Sequence, residues 1–176
     1  MGENIQMKID LSEATFIIPI RIESQDRLRN VITTTAFLID NFDTNIIIKE
    51  VDSESVFIRD VVPVLKDFYD VDTHIFHIFE KSDEPLFHRQ RVLNEMVAEA
   101  KTEIVVNYDC DVLLPLDSYH ESYQSILHHT HDVIYPYGQG IYQKQVRATD
   151  EVVSKFLETS RTFLNLTITF LISSFV

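Results

Sequence analysis

Apolar positions in this chain fall into short continuous runs separated by stretches of helical period. TFIIPI (15–20), NIIIKEVD (45–52), THIFHIF (73–79), EIVVNYD (103–109) and HDVIYPY (131–137) have the length and β-branched content of strands. Between them, residues 27–40 place Leu28, Val31, Ile32, Thr35 and Leu38 on one side of a helix that Asp26 would cap. Residues 56–69 predict a second helix, which Pro63 either kinks or begins. A third, over 87–100, repeats Val92, Leu93, Met96, Val97 and Ala100 at the 3.6 period. Another starts at Pro115 and Asp117 and runs to about His128, and Thr149 caps a last one bearing Val152, Val153, Phe156 and Leu157. Strands alternating with helices predict an α/β fold: a three-layer α/β/α sandwich around a mostly parallel sheet.

The 176 residues suit one domain with a proper core. Residues 1–147 hold the whole alternation. Residues 148–176 add a helix and the tail FLNLTITFLISSFV (163–176), which either belong to the same domain or are the start of a truncated acceptor region. Fourteen residues fall short of the ~20 that a membrane-spanning helix needs. The tail is therefore expected to be a buried strand, or a chain end cut off from its partner elements, rather than a membrane contact.

Composition narrows the chemistry. Three glycines, with no G-x-G-x-x-G and no G-x-x-x-x-G-K-[ST], argue against a Gly-rich phosphate loop. The net charge of −13 argues against nucleic acid as a partner, and an anionic substrate would need clustered Arg or a bound cation. The single Cys110 excludes an internal disulfide and a Cys-rich zinc site. It suits a reducing compartment, and MGENIQMKID has no apolar signal core, so a cytoplasmic location is expected.

Two acids then stand out. IVVNYDCDVLLP (104–115) sets Asp109 and Asp111 at the end of an apolar strand. In open α/β sheets, ligands collect beyond the carboxyl ends of the strands. Residues i and i+2 of an extended chain point to one side, roughly 6–7 Å apart. Two carboxylates that close repel, and a divalent cation removes the conflict. Mg²⁺ or Mn²⁺ would bind through these oxygens together with a substrate diphosphate. The competing structural role is a turn residue at Asp109 and a helix cap at Asp111.

These residues resemble the nucleotide-sugar-binding half of the GT-A glycosyltransferases, close to the family 2 group, over residues 14 to about 147. FIIPIRIES is similar to the family's opening strand, and the resemblance places Pro19 and Arg21 by the nucleotide. Glu50, Val51 and Asp52 match the acidic end of the second strand, which implies contact of Glu50 and Asp52 with base or ribose. FHRQRVLNEMVAEAKTEIVVNYDCDVLLP resembles the helix–strand–Asp-x-Asp block, the most specific part, with Arg89, Arg91 and Asn94 in the turn before the donor. VIYPYGQGIYQ is similar to the strand after that motif. The resemblance implies a GT-A fold and metal-dependent transfer of a sugar from a nucleotide-diphosphate donor to a glycan, lipid or protein acceptor. Asp111 would ligate Mn²⁺ or Mg²⁺ directly, and Asp109 would reach the ribose or the metal through water.

Bland roles compete at each position: a surface ion pair for Arg21, strand-end solvation for Glu50, a turn for Asp52, a solvated helix position for Asn94, and an i, i+4 pair with Glu95 for Arg91. The family's general base, an acid in a later Glu-Asp or Asp-Asp pair, has no counterpart, and Asp150 and Glu151 read as first-turn helix acids. A truncated or non-catalytic nucleotide-sugar-binding module is thus the alternative. A haloacid dehalogenase-type phosphatase also sets Asp-x-Asp after an apolar strand, but wants Thr or Val where Leu113 stands. The HHTH cluster at His128, His129 and His131 reads as a polar helix end rather than a metal site, and His74 and His77 read as ordinary strand side chains on opposite faces. Cys110, between two acids, should have a raised pKa, which argues against a nucleophile.

Overall fold

The computed structural model describes residues 7–136 and 149–159. Four parallel strands form one sheet in the order β3–β2–β1–β4: β1 (Ile9–Ile20), β2 (Phe42–Asp52), β3 (Ile75–Lys81) and β4 (Ile104–Asn107). The connecting helices are α1 (Gln25–Asn41), α2 (Val62–Lys66), α3 (Val71–His74), α4 (Arg89–Glu99) and α5 (Leu116–Leu127), with α6 (Asp150–Thr159) beyond them. Alternation along the strands splits the core in two. Phe16, Ile18, Ile20, Ile46 and Ile48 face α1, α2, α5 and α6, while Ile17, Ile47 and Val51 face Val92, Leu93 and Met96 of α4. Helices on both faces of an all-parallel sheet give the three layers that the alternation predicts.

β1 begins earlier than its apolar run. Its register against β2 shifts between Asp10 and Thr15, and the irregular stretch is held by side chains of β2: Thr44 Oγ1 donates to the Ala14 carbonyl at 3.1 Å, and Asn45 Nδ2 to the Ser12 carbonyl at 3.0 Å. A bulge breaks the period of two, which is why SEA carries no strand signal. Pro19 is tolerated in this central strand because β4 has already left the sheet. The last bond from that side runs from the Tyr108 amide to the Ile17 carbonyl at 3.1 Å.

Several local expectations are corrected. Ser24, not Asp26, caps α1, its Oγ accepting from the Arg27 amide at 3.2 Å, while Asp26 pairs with Arg29 in the first turn. The 56–69 helix is interrupted: a π-helical turn, Phe57–Val61, runs into α2, whose first turn holds Pro63. His74 ends α3 rather than lying in a strand. β4 is a half-buried edge strand, not a fully buried one. The strand expected at 131–137 is absent over its described part, 131–136, where Val133 and Tyr135 are 70% and 78% exposed. Period-two alternation reports a strand only where one face is buried, and here neither is. Thr149 does cap α6, its Oγ1 accepting from the Val152 amide at 3.3 Å, and Val153, Phe156 and Leu157 pack into the core beside α1. Residue 137, GQGIYQ (138–143) and the apolar tail lie outside the described residues.

Candidate functional site at the sheet's switch point

From β1 the chain moves outward to β2 and then β3, and returns to the other side of β1 for β4. In open α/β sheets the crevice at such a reversal is the usual ligand position, and here the reversal falls beyond the carboxyl ends of β1 and β4. β4 exits at Asn107 into the turn bearing both aspartates. Residues alternate sides there: Tyr108 and Cys110 are buried, whereas Asp109 and Asp111 are exposed.

Two arginines flank this turn from opposite faces of the sheet. Arg89, the first residue of α4, donates from Nη2 to Asp109 Oδ1 at 2.5 Å and to Asn107 Oδ1 at 3.3 Å. Arg27, in the first turn of α1, brings Nη1 to 3.8 Å from Cys110 Sγ. With Asp109 and Arg89 59% and 45% exposed, their ion pair is worth at most about 1 kcal/mol. Asp111 takes no hydrogen bond or ion pair among the described residues. Burial raises the Cys110 thiol pKa; Arg27 opposes this, and Asp111 and Asp109 add to it. The expected direction holds, with desolvation as the larger cause.

Arg21, at the exit of β1, is only 7% exposed and makes no ion pair among the described residues. Its Nε donates to the Val51 carbonyl at 2.8 Å, and Nη1 donates to the Glu84 and Pro85 carbonyls at 2.8 and 3.2 Å. Its guanidinium lies over Phe87, 5.5 Å from the ring centroid, and Nη2 has no partner. Backbone carbonyls rather than a carboxylate therefore satisfy this buried cation. A surface ion pair does not describe it.

The other candidates have local partners of their own. Glu50 is fully buried, accepting from Ser55 Oγ at 2.6 Å and the Phe57 amide at 2.9 Å. His77 Nε2 lies 3.2 Å from Glu50 Oε2, close enough for an ion pair but poorly directed for a hydrogen bond. The carboxylate therefore secures the start of the π-helical turn; it is neither solvated nor open to a base or ribose. Asp52, half-buried at the end of β2, accepts from the Ser53 amide at 2.7 Å. Asn94 is exposed on α4 and receives a bond from Gln90 at 3.4 Å; five residues on from Arg89, it is turned about 140° around the helix and faces solvent. Arg91 pairs with Glu95 at 2.8 Å and Glu80 at 2.6 Å, the surface role. Asp150 pairs with Arg29 at 2.6 Å.

Among the described residues, no group of three His, Cys, Asp or Glu side chains converges to hold a metal. The two exposed carboxylates are hard oxygen donors, and Mg²⁺ or Mn²⁺ commonly takes one or two such groups and completes its shell with substrate phosphate and water. Oxygen donors of this kind suit a cation delivered with an anionic ligand, and Asp109 and Asp111 are the residues that could hold one. Arg27 was missed in the sequence because its partner lies 83 residues away. No helix among the described residues is long and apolar enough to cross a membrane. Neither the family models nor the curated proteins contain a match to this chain.

Proposed function

We propose that this protein binds a nucleotide-diphosphate sugar in the crevice beyond β1 and β4 and transfers the sugar to an acceptor hydroxyl. The observation that carries this reading is the pair of exposed acids at the switch point, flanked by Arg89 and Arg27 in a chain of net charge −13. A strongly acidic protein that binds a diphosphate must supply local positive charge. Two arginines at the turn, with Arg21 at the exit of β1, are that supply. When bound, Mn²⁺ or Mg²⁺ would neutralise the diphosphate and stabilise it as the leaving group. Asp111 and Asp109 would hold the cation, Arg89 would release Asp109 to take a phosphate oxygen, and Arg27 would add a second positive group. The GT-A resemblance supplies the sugar and an inverting attack by the acceptor hydroxyl; no residue is assigned as the base that removes its proton.

A thermal-shift screen of nucleotide sugars with and without Mn²⁺ tests the donor class, and stabilisation only when both are present is expected. Asp111→Asn should weaken Mn²⁺-dependent UDP or GDP binding at least tenfold, about 1.4 kcal/mol, in calorimetry. Equal affinity in wild type and variant, with or without chelator, rules out this metal site.

A further inference from the structure

The turn that presents the two aspartates is anchored at alternate residues from behind. Thr34 Oγ1 on α1 donates to the Cys110 carbonyl at 2.8 Å. Tyr108 donates its hydroxyl to the Val112 carbonyl at 2.6 Å. The Leu114 amide donates to the Tyr119 hydroxyl at 3.0 Å. The two hydroxyls are 2.5 Å apart, and since the Tyr108 proton goes to Val112, Tyr119 is the donor between them. The result is one directional chain: Leu114 N–H to Tyr119, Tyr119 to Tyr108, Tyr108 to the Val112 carbonyl. Both rings are buried and pack against Phe16, which belongs to the central strand.

We infer that Tyr119 is a positioning residue for the cation site: through Tyr108 and Leu114, and with Thr34 at Cys110, it holds the 109–113 backbone in the one shape that turns both carboxylates outward together. This inference rests on the glycosyl-transfer reading of the same turn and extends it to residues that touch neither metal nor donor. Two like charges in a short loop repel and would splay a slack backbone. Anchoring residues 110, 112 and 114 removes that freedom before the ligand arrives, so binding does not have to order the loop.

The test compares Tyr119→Phe and Thr34→Val with Tyr123→Phe. Tyr123 lies on the same helix and is also buried, but its hydroxyl accepts from the Glu13 amide at 3.4 Å, away from the turn. Mn²⁺ binding is followed by electron paramagnetic resonance, and UDP and GDP binding in the presence of Mn²⁺ by calorimetry. Measurements are made at a temperature where circular dichroism shows each protein folded. Tyr119→Phe and Thr34→Val should each weaken Mn²⁺-dependent binding about tenfold, and Tyr123→Phe should leave it unchanged. A purely structural tyrosine would lower the melting temperature without changing the dissociation constant. If Tyr119→Phe fails to fold, Thr34→Val decides alone. If wild type binds and both turn variants bind as tightly, the positioning role is overturned while the proposed function stands. If wild type shows no Mn²⁺-dependent nucleotide binding, both are overturned.

Discussion

Glu50 shows how much one side chain can depend on its neighbours. Desolvation alone would raise its pKa, yet the His77 imidazole beside it and the hydrogen bonds from Ser55 and the Phe57 amide overcome that and hold it below the ordinary value of 4.5. A carboxyl depressed on folding contributes stability that is present above about pH 4.5 and lost as pH falls through the lower, folded value. Glu50→Gln keeps the shape but turns donors toward Ser55 and His77. It should cost about 1–3 kcal/mol in urea unfolding at pH 7 and flatten the acid limb of the stability curve. An unchanged acid limb would mean that the contacts seen at Glu50 do not govern its titration.

Among the elements, α5 ends in a way that can be improved. Its last turn closes with the Thr130 amide on the Ser125 carbonyl at 3.0 Å and the His129 amide on the Ile126 carbonyl at 2.9 Å, the two bonds of a Schellman motif. The motif needs a left-handed residue, and His129 supplies it at φ 54°. Any Cβ costs energy in that region, whereas glycine does not. His129→Gly should therefore stabilise the protein by about 0.5–1 kcal/mol, a rise of roughly 1–4 °C in Tm. A fall in Tm would show that the HHTH segment has contacts worth more than the backbone strain. The HHTH segment is thus the polar helix end that the sequence predicts, the place where α5 turns back.

For the molecule as a whole, 28 acidic residues against 15 basic ones make self-repulsion the dominant long-range electrostatic effect. Surface ion pairs such as Arg29–Asp150 and Lys66–Asp72 oppose it, but pairs this open to solvent contribute little and are screened too. Raising NaCl from about 0.01 M to about 0.5 M shortens the Debye length from ~30 Å to below 8 Å and should raise Tm. A Tm that falls with salt would put the ion pairs ahead of the repulsion. The same imbalance makes the arginines at the crevice conspicuous, since few cations remain to neutralise a bound anion.

The fold class was legible in the sequence because it depends on local periodicity. The runs at 15–20 and 45–52 and the 3.6-residue repeat in 87–100 each record which side of an element must leave water, and their alternation implies parallel strands between helices. The exposure of Asp109 and Asp111 was legible for the same reason, as charge that interrupts an apolar strand. Periodicity does not record which elements become neighbours. The order β3–β2–β1–β4, which puts the crevice beside β4, follows from how the layers pack around Phe16 and Ile17. Packing also decided that Glu50 would be consumed inside, that Asn94 would face solvent, and that HDVI would gain no partner strand. It brought Arg27, Thr34 and Tyr119 to a turn that is distant from two of them in the chain. Those contacts form only after the entropy of closing long loops has been overcome by burial elsewhere, so no short stretch of sequence carries their signature.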